Sequence, residues 1–189
     1  FYGDDPKTNA DYGRIVNSRH MERLVSLLEA ERDSVVYGGG CDVANRYIEP
    51  TVLCPGNRDT ASMREEIFGP ILPVFVYDQL SDVMAYINGH EKPLALYIFS
   101  ENKEAIKKIL QGTSSGGVAI NDTISQIINP NLPFGGVGHS GIGSYHGEAG
   151  FLTFSHQRSV LKRSTLIRIP LAYPPFTEKK LKKARKIIK

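Results

Sequence analysis

The sequence is poor in cysteine, and its two cysteines stand alone. Among 189 residues only Cys41 and Cys54 occur, and no C-x-x-C spacing is present. This scarcity excludes a disulfide framework. It fits a reducing compartment, and we therefore expect a cytoplasmic protein.

Metal-ligand spacing and long apolar runs are missing as well. The five histidines never pair at the spacing that two ligands on one helix require, so we predict no metal site. No apolar run approaches the roughly 18 residues that a membrane span needs. No segment of this sequence is therefore predicted to cross a membrane.

The composition is that of a globular domain, with 41% apolar and 23% charged residues. The net charge of +3 is unevenly distributed, because residues 178–189 hold seven basic residues and one acidic residue, and the remainder is net acidic. The sequence opens on Phe1, without methionine, from which we expect a fragment of a longer protein.

Hydrophobic periodicity predicts an α/β fold. Helices are predicted over residues 11–31, 81–88 and 100–110, with Ser81 and Ser100 as N-caps. Strands are predicted at residues 35–37, 47–53, 73–77, 94–99 and 117–121, and the continuous apolar run 94–99 is typical of a strand covered on both faces. The last five elements alternate strand and helix, as in a parallel sheet with covering helices. Functional residues of such sheets follow the carboxyl ends of strands, where Asn121 lies.

A glycine-rich stretch follows that strand. Residues 131–147, which we call the glycine segment, read NLPFGGVGHSGIGSYHG and contain a literal G-x-G-x-x-G. A dinucleotide fingerprint needs a strand before the glycines, a helix after them and a later acid. Here prolines precede, further glycines interrupt any following helix, and no acid occurs between Glu148 and Glu178. A nucleophile elbow is excluded because Ile142 occupies the place of its last glycine. The interleaved apolar residues favour a loop folded over a pocket.

A second unusual stretch reads REEIFGPILP, over residues 64–73. Two adjacent acids and F-G-P stand directly before a predicted strand. One interpretation is a rigid turn that presents a carboxylate and an aromatic ring. The other is a solvated turn whose acids face water, and the residue types alone leave both open.

The two stretches together resemble signatures of the aldehyde dehydrogenase superfamily, E-E-x-F-G-P and P-F-G-G-x-G-x-S-G-x-G. The resemblance is greatest to the class 3 branch, which acts on fatty or aromatic aldehydes. Further segments carry that likeness in order: DYGRIVNSRH, EKPLALYIFS, TSSGGVAIND, FSHQRS and a late YPP. The resemblance covers residues 1 to about 176 and leaves only the basic tail unexplained.

The resemblance implies an architecture and an activity. It implies a parallel-sheet catalytic domain of the aldehyde dehydrogenase fold over residues 1–150, an oligomerisation arm over 151–176 and a basic tail helix over 177–189. It also implies a homodimeric enzyme that oxidises aldehydes to carboxylic acids with NAD or NADP. The family's nucleophilic cysteine, general base and Rossmann domain then lie upstream of Phe1. No catalytic residue is expected in this chain, and the chain alone is expected to be inactive.

By the same resemblance, two residues bind the cofactor. Glu66 corresponds to the carboxylate that binds the nicotinamide ribose, and Phe68 to the ring that packs beside it. Glu65 is left as a turn residue. The residues implied to line the aldehyde tunnel are Ile127, Ile128, Phe134 and His146. For Asn121, a catalytic role and a structural cap both remain open.

Two other functions remain as alternatives. The chain could be a non-catalytic module that pairs with another dehydrogenase subunit. Its basic tail could bind a polyanion, either nucleic acid or an anionic membrane surface. The tail lacks interleaved aromatic residues, and a solvated helix is the commoner outcome for such a charge run. We therefore expect an aldehyde and a second subunit as partners, no nucleic acid, and peripheral membrane contact only as the less favoured reading.

Overall fold

The structure is a computed structural model that describes residues 2–166 and 169–187. The α-helices are α1 (Ser18–Ala30), α2 (Leu80–Asn88), α3 (Lys103–Gly112), α4 (Ser125–Ile128), α5 (Gly147–Thr153) and α6 (Glu178–Ile187). The strands are β1 (Val35–Tyr37), β2 (Cys41–Asp42), β3 (Tyr47–Ile48), β4 (Thr51–Leu53), β5 (Ile71–Pro73), β6 (Ala95–Ile98) and β7 (Gly117–Ile120). Short 3₁₀ helices occupy Arg32–Ser34, Ala61–Met63 and Pro170–Ala172. The fold class is α/β, as predicted. Ile167 of the predicted arm and Ile188 of the predicted tail helix lie outside the described residues.

The chain divides into two compact units. The first contains the described residues up to 91 together with 102–114, and its three-stranded sheet has the order β1-β4-β5. Strand β4 is antiparallel to β1 and parallel to β5, with Thr51 opposite Ile71. A separate hairpin pairs β2 with β3.

Helix α1 supplies most of the core of the first unit. Its apolar residues recur at helical spacing and therefore share one face. The buried cluster consists of Met21, Leu24, Leu27, Leu28, Ile48, Leu53 and Ile71. Burying one such side chain contributes about 1.5–3 kcal/mol. This packing holds α1 against the strands and makes it a fixed support for neighbouring loops.

Helix α1 begins later than the predicted residue 11. Asn17 is its N-cap, and the Asn17 side chain accepts a hydrogen bond from the His20 amide at 2.9 Å. The preceding segment bonds elsewhere instead, since the Ile15 amide donates to the Arg46 carbonyl at 2.9 Å. A long-range backbone contact therefore prevails over the local helical pattern.

The predicted strand over residues 47–53 is two strands. Its first part pairs with β2, and its second part pairs with β1 and β5. Pro50 stands between them, where a residue without an N–H ends a ladder. The predicted strand 73–77 is also shifted, because β5 ends at Pro73 and its partner β4 ends at Leu53, shortly before Pro55.

Two predicted helix caps are wrong. Helix α2 begins at Leu80 after the extended residue Gln79, so Ser81 lies inside the first turn. Helix α3 is capped by Asn102, whose side-chain oxygen accepts from the amides of Glu104 and Ala105 at 3.0 and 3.1 Å. A short amide side chain at that position reaches two of the four unpaired amides at the start of the helix.

The second unit contains residues 92–101 and the described residues from 115 onward. Its strands β6 and β7 are parallel, in the register Ala95 opposite Gly117 through Ile98 opposite Ile120. The prediction of a strand covered on both faces is not met within this chain. Ile98 is buried, whereas Tyr97 is 37% exposed.

The segment after the glycine segment is helical before it becomes irregular. Helix α5 runs to Thr153, so the first residues of the predicted arm are helical and not extended. From 154 to 166 the described residues form neither helix nor strand. Helix α6 follows, and no helix among the described residues is long and apolar enough to cross a bilayer.

Candidate functional site

Residues 65–70, which we call the acid turn, are bound to α1 through the carboxylate of Glu65, the first residue of the turn. Arg23 of α1 donates from Nη1 to the Glu65 carboxylate at 2.9 Å and from Nη2 to the Ile67 carbonyl at 2.5 Å. The guanidinium therefore bonds the residue on each side of Glu66. At the other end of the turn, the Thr51 amide of β4 donates to the Pro70 carbonyl at 2.9 Å.

The two adjacent carboxylates of the acid turn have different environments. Glu65 forms the ion pair with Arg23. Glu66 is exposed, and among the described residues its carboxylate has no hydrogen bond and no ion pair. Glu66 is thus the carboxylate of the pair whose oxygens remain able to accept hydrogen bonds from a ligand.

Phe68 is held in an unusual conformation. Its φ is 47°, in the left-handed region that a bulky side chain seldom adopts, and its ring is 73% exposed. Such a residue costs about 1–3 kcal/mol and persists only where its surroundings enforce it. A Cβ on the following Gly69 would lie 2.7 Å from Cδ1 of buried Leu24, so a larger residue there would require this core side chain of α1 to shift.

The Phe68 ring borders a groove of about 660 Å³ in the first unit. Tyr12, Arg14 and His20 also line it. The Nδ1 atom of His20 is buried and has no hydrogen-bond partner among the described residues. The groove therefore has aromatic residues and two basic residue types in its lining, and one of these, His20, carries a buried nitrogen without a hydrogen-bond partner among the described residues.

The glycine segment is a loop that bonds to itself. Phe134 and Tyr145 exchange backbone hydrogen bonds, each at 2.9 Å. Nearer the tip, the Gly141 amide donates to the Gly138 carbonyl, and the Val137 amide donates to the Ser140 hydroxyl. A phosphate cradle needs backbone amides that point at the ligand. These four amides are instead used to close the loop.

The first glycines of this segment are required by close backbone approach. A Cβ on Gly135 would lie 2.1 Å from the Gly143 carbonyl oxygen, and one on Gly136 would lie 2.0 Å from the Ser140 carbonyl oxygen. Any side chain at these positions would push the two halves of the loop apart. The glycines therefore serve packing of backbone on backbone.

Two of the predicted tunnel residues are brought together at the base of the loop. The Phe134 and His146 rings stack with centroids 6.1 Å apart, and Tyr145 packs edge-on against both. His146 also lines a cavity of about 370 Å³ with Pro133 and Leu152. His146 has φ 84°, and its Nδ1 lies 3.3 Å from the Leu132 carbonyl oxygen, which fixes the ring beside the loop.

The other two predicted tunnel residues lie on α4. Ile127 is half-buried and Ile128 is 75% exposed. Asp122 lies just before this helix, and its pKa is held below its usual value because the Ser125 hydroxyl and the Thr123 amide donate hydrogen bonds to it. An ionised carboxylate there is favourably placed at the N-terminus of α4.

Asn121 has a structural role in the chain. Its φ is 55°, which asparagine tolerates better than most residues. Its side chain donates to the Ser100 carbonyl at 3.0 Å and accepts from the Ser100 amide at 2.8 Å. This pair ties together the loops that follow β6 and β7. The sequence leaves a catalytic role and a structural cap open for Asn121, and these two hydrogen bonds support the structural cap.

The two cysteines are exposed and unpaired. Cys41 lies in the β2–β3 hairpin, and Cys54 lines a surface groove with Arg58, Phe75 and Tyr86. Over residues 2–166 and 169–187, no group of three or more His, Cys, Asp or Glu side chains is arranged to hold a metal ion.

Arg23 was not predicted as a site residue. Its partners lie 42 and 44 residues further along the chain, so no local spacing indicates the contact. The only signal in the sequence is a basic residue beside the apolar face of α1. Such residues are common on amphipathic helices and carry no functional information alone.

Comparison with known proteins places this geometry in a family. Residues 2–160 match the aldehyde dehydrogenase family. The chain is 48% identical over 179 residues to the 4,4'-diaponeurosporen-aldehyde dehydrogenase of Staphylococcus aureus, covering 95% of this chain and 39% of that protein. It is 51% identical over 164 residues to the dimeric NADP-preferring aldehyde dehydrogenase of Mus musculus, covering 87% and 36% respectively. With aldehyde dehydrogenase family 3 member A2 of Rattus norvegicus the identity is 48% over 183 residues, covering 96% and 37%.

Solved structures give the same result. The substrate-bound AldH of Staphylococcus aureus matches with a TM-score of 0.89 and 46% identity, over 100% of this chain and 41% of that one. The Mycobacterium tuberculosis aldehyde dehydrogenase complexed with NAD+ matches with a TM-score of 0.73 and 29% identity, over 84% and 33%. The chain thus spans less than half the length of these relatives. The family resemblance carried by the two motifs is confirmed: the chain belongs to the aldehyde dehydrogenase family.

Proposed function

We propose that this chain supplies the ribose-binding turn and part of the aldehyde tunnel of an NAD(P)-dependent aldehyde dehydrogenase, which oxidises aldehydes to carboxylic acids. The contrast between two neighbouring carboxylates carries the proposal. Glu65 is engaged by Arg23, whereas Glu66 has no partner among the described residues and lies two positions before the exposed Phe68. One carboxylate holds the turn and the other is available to a ligand.

The residues of the acid turn fit a nicotinamide ribose. A carboxylate can accept hydrogen bonds from two vicinal hydroxyls, and charge-assisted bonds of this type are roughly twice as strong as neutral ones. The exposed Phe68 ring offers an apolar surface beside Glu66. When bound, the nicotinamide is the group that accepts the hydride. Both NAD and NADP carry this ribose, so the turn serves either cofactor.

The contribution of the acid turn is positioning. Hydride transfer requires the donor carbon and the acceptor ring to be close and aligned, and a displacement of about 1 Å costs about 100-fold in rate. The turn is suited to this task because Arg23, the Pro70 carbonyl contact and Gly69 restrict its backbone. Glu66 then acts as a hydrogen-bond acceptor and transfers no proton.

We assign the aldehyde side to the second set of residues. The proposed wall is mainly apolar, which suits the carbon chain or ring of an aldehyde. It consists of Phe134, His146, Ile127 and Ile128. Phe134 and His146 are fixed against each other by the loop, while Ile127 and Ile128 lie on a short helix. In this proposal the nucleophilic cysteine and the general base belong to the preceding part of the protein.

The proposed assembly follows the same assignment. We place residues 1–150 in the catalytic domain, 151–176 in an oligomerisation arm and 177–189 in a basic tail. A homodimer is supported by the name of the mouse relative, which is described as dimeric and NADP-preferring. A cytoplasmic location remains our proposal, supported by the two unpaired cysteines.

The test is a pair of substitutions in the intact enzyme. Glu66→Gln keeps the size of the side chain and removes its charge, which should weaken transition-state positioning by about 1–3 kcal/mol. Hydride transfer should slow by roughly 5- to 150-fold, and deuterated aldehyde should show a larger isotope effect than in the unmutated enzyme.

The neighbouring Glu65→Gln is the control for this measurement. Glutamine retains an oxygen that can accept from Arg23, and exposed ion pairs contribute only about 0–1 kcal/mol. Hydride transfer in Glu65→Gln should therefore be nearly unchanged. Slow hydride transfer in Glu65→Gln with normal transfer in Glu66→Gln would mean that the wrong carboxylate has been assigned.

A further inference from the structure

We propose that Arg23 is a positioning residue for the nicotinamide site: its guanidinium holds the Glu65 side chain and the Ile67 carbonyl, on either side of Glu66, and so sets where Glu66 and Phe68 present their side chains. The inference rests on the proposed function, because it concerns the same turn. It adds a residue that lies far from the acid turn in sequence and that contacts neither the ribose nor the aldehyde in this account.

Arg23 forms a hydrogen bond to each of the two neighbours of Glu66. Nη1 of Arg23 binds the side chain of Glu65, and Nη2 binds the carbonyl of Ile67. Arginine can do this because its planar fork carries several donors in fixed directions. Glu66 stands between the two bonded residues, one held through its side chain and the other through its backbone carbonyl, while among the described residues its own carboxylate has no partner.

Phe68 is restricted in the same way. The preceding carbonyl, that of Ile67, is held by Arg23. The following residue, Gly69, packs directly on Leu24, one position after Arg23 on α1. Since a left-handed φ at phenylalanine persists only when its surroundings enforce it, these two contacts account for the conformation of Phe68.

Helix α1 is a suitable anchor for these contacts. Its apolar face forms the core of the first unit, so the helix does not move independently of the sheet. A second contact ties the segment before the acid turn to the end of the same helix. Buried Glu31 accepts a hydrogen bond from the Ser62 hydroxyl at 3.0 Å and another from the Ser62 amide. The segment that leads into the acid turn is thus bound at two points, to Glu31 through Ser62 and to Arg23 through Glu65 and Ile67.

The first test measures backbone dynamics without nucleotide. Hydrogen exchange of the amides of residues 65–69 should be compared in the 189-residue chain and in its Arg23→Met variant. We expect roughly tenfold faster exchange in the acid turn, with protection of the α1 amides unchanged, because only a local contact is lost. Arg23→Lys should give an intermediate rate, since an ammonium group can satisfy one of the two acceptors at a time.

Arg19→Met is the matched control for exchange. Arg19 lies on the same helix and is exposed, and within the described part of the chain it forms no hydrogen bond or ion pair with the acid turn. Its replacement should leave exchange of residues 65–69 unchanged. Unchanged exchange in the acid turn of Arg23→Met would overturn the proposal. An equal rise across α1, β4 and the turn would overturn it too, since that pattern indicates general destabilisation.

The second test separates this inference from the proposed function. In the intact enzyme, Arg23→Met should raise the deuterium isotope effect on aldehyde oxidation in the same direction as Glu66→Gln, and Arg19→Met should not. If Glu66→Gln raises it and a folded Arg23→Met does not, the role of Arg23 is wrong and the proposed function stands. If neither raises it, the assignment of the acid turn to the ribose fails first.

Discussion

At the scale of single residues, hydroxyl and aromatic contacts near the start of the chain stabilise the first unit. Tyr12 donates its hydroxyl to the Ile48 carbonyl at 2.8 Å, and its ring packs edge-on against both Tyr2 and Tyr47. Burial, reinforced by the neighbouring tyrosines, raises the pKa of Tyr12 from 10.0 to about 12. The folded state therefore favours the neutral phenol.

The raised pKa predicts a loss of stability at alkaline pH. A group whose pKa is higher in the folded state contributes stability that is complete below the unfolded value and is lost as pH rises. For Tyr12 this loss should extend from about pH 10 to about pH 12. Urea unfolding of the chain at several values across this window should show the decline, and Tyr12→Phe should reduce its slope by about one proton.

The exposed Tyr77 provides the comparison for Tyr12. Its replacement by phenylalanine removes an exposed phenol and leaves the contact of Tyr12 to Ile48 in place, so it shows what the loss of a phenol by itself does to the alkaline decline. Equal slopes for the unmutated chain, Tyr12→Phe and Tyr77→Phe would show that Tyr12 does not govern this stability.

At the scale of elements, the glycine segment is a rigid loop because its backbone packs on itself. We predict that Gly135→Ala opens its base, since the added Cβ would meet the Gly143 carbonyl oxygen at 2.1 Å. Such overpacking costs about 1–3 kcal/mol. Hydrogen exchange at the Phe134 and Tyr145 amides should accelerate, because these two residues close the base of the loop.

Gly138→Ala is the control within the same segment. Gly138 has a positive φ of 68°, but a Cβ there would meet nothing within 4 Å. The substitution should cost about 1–2 kcal/mol of local strain at the tip. Exchange at Phe134 and Tyr145 should stay slow. Equal acceleration in both variants would show that backbone packing does not hold the base closed.

The predictability of each element from sequence depends on how local its causes are. The apolar periodicity of α1 and the run in β6 are local, and both elements were located to within a few residues at one end. The start of α1 was missed because the Ile15 amide bonds to Arg46, which lies 31 residues further along. The break between β3 and β4 follows from Pro50 but also from the exchange of partner strands, which no local pattern shows.

The predictability of the candidate site also depends on how local its causes are. The acid turn and the glycine segment could be predicted because proline, glycine, paired acids and aromatic rings in a short space are unusual in themselves. The different environments of Glu65 and Glu66 could not, because Arg23 selects between them from a distant helix. The N-cap positions Gln79 and Asn102 could not be predicted either, because another polar residue, Ser81 or Ser100, lies two positions from each.

At the scale of the whole molecule, the segment after α5 exposes apolar side chains without regular structure. Phe154 is 87% exposed and Leu161 is 93% exposed. If this segment is the proposed arm, it needs a partner surface, since exposed apolar side chains in an unpaired segment favour association. Deleting residues 155–189 from the intact enzyme should therefore convert a dimer into monomer or aggregate, measured as solution mass.

A shorter deletion controls for loss of the tail. Removing residues 177–189 takes away α6 and leaves the exposed segment intact, so the dimer mass should persist. A dimer that survives the longer deletion would count against the arm.

We also expect the 189-residue chain on its own to lack aldehyde oxidation. In our proposal the nucleophilic cysteine is neither Cys41 nor Cys54 but belongs to the preceding part of the protein, and the role of this chain is positioning. The measurement is NADH or NADPH formation with an aldehyde and either nucleotide. Robust formation that Cys41→Ser or Cys54→Ser abolishes would contradict the assignment.

The central claim is that Glu66, and not Glu65, holds the nicotinamide ribose. A structure of the intact enzyme with bound NAD or NADP tests it most directly. The account predicts both ribose hydroxyls within hydrogen-bond distance, about 2.5–3.2 Å, of the Glu66 carboxylate, with Glu65 still paired to Arg23 and the Phe68 ring beside the ribose. Ribose hydroxyls bonded to Glu65, or to neither carboxylate, would contradict it.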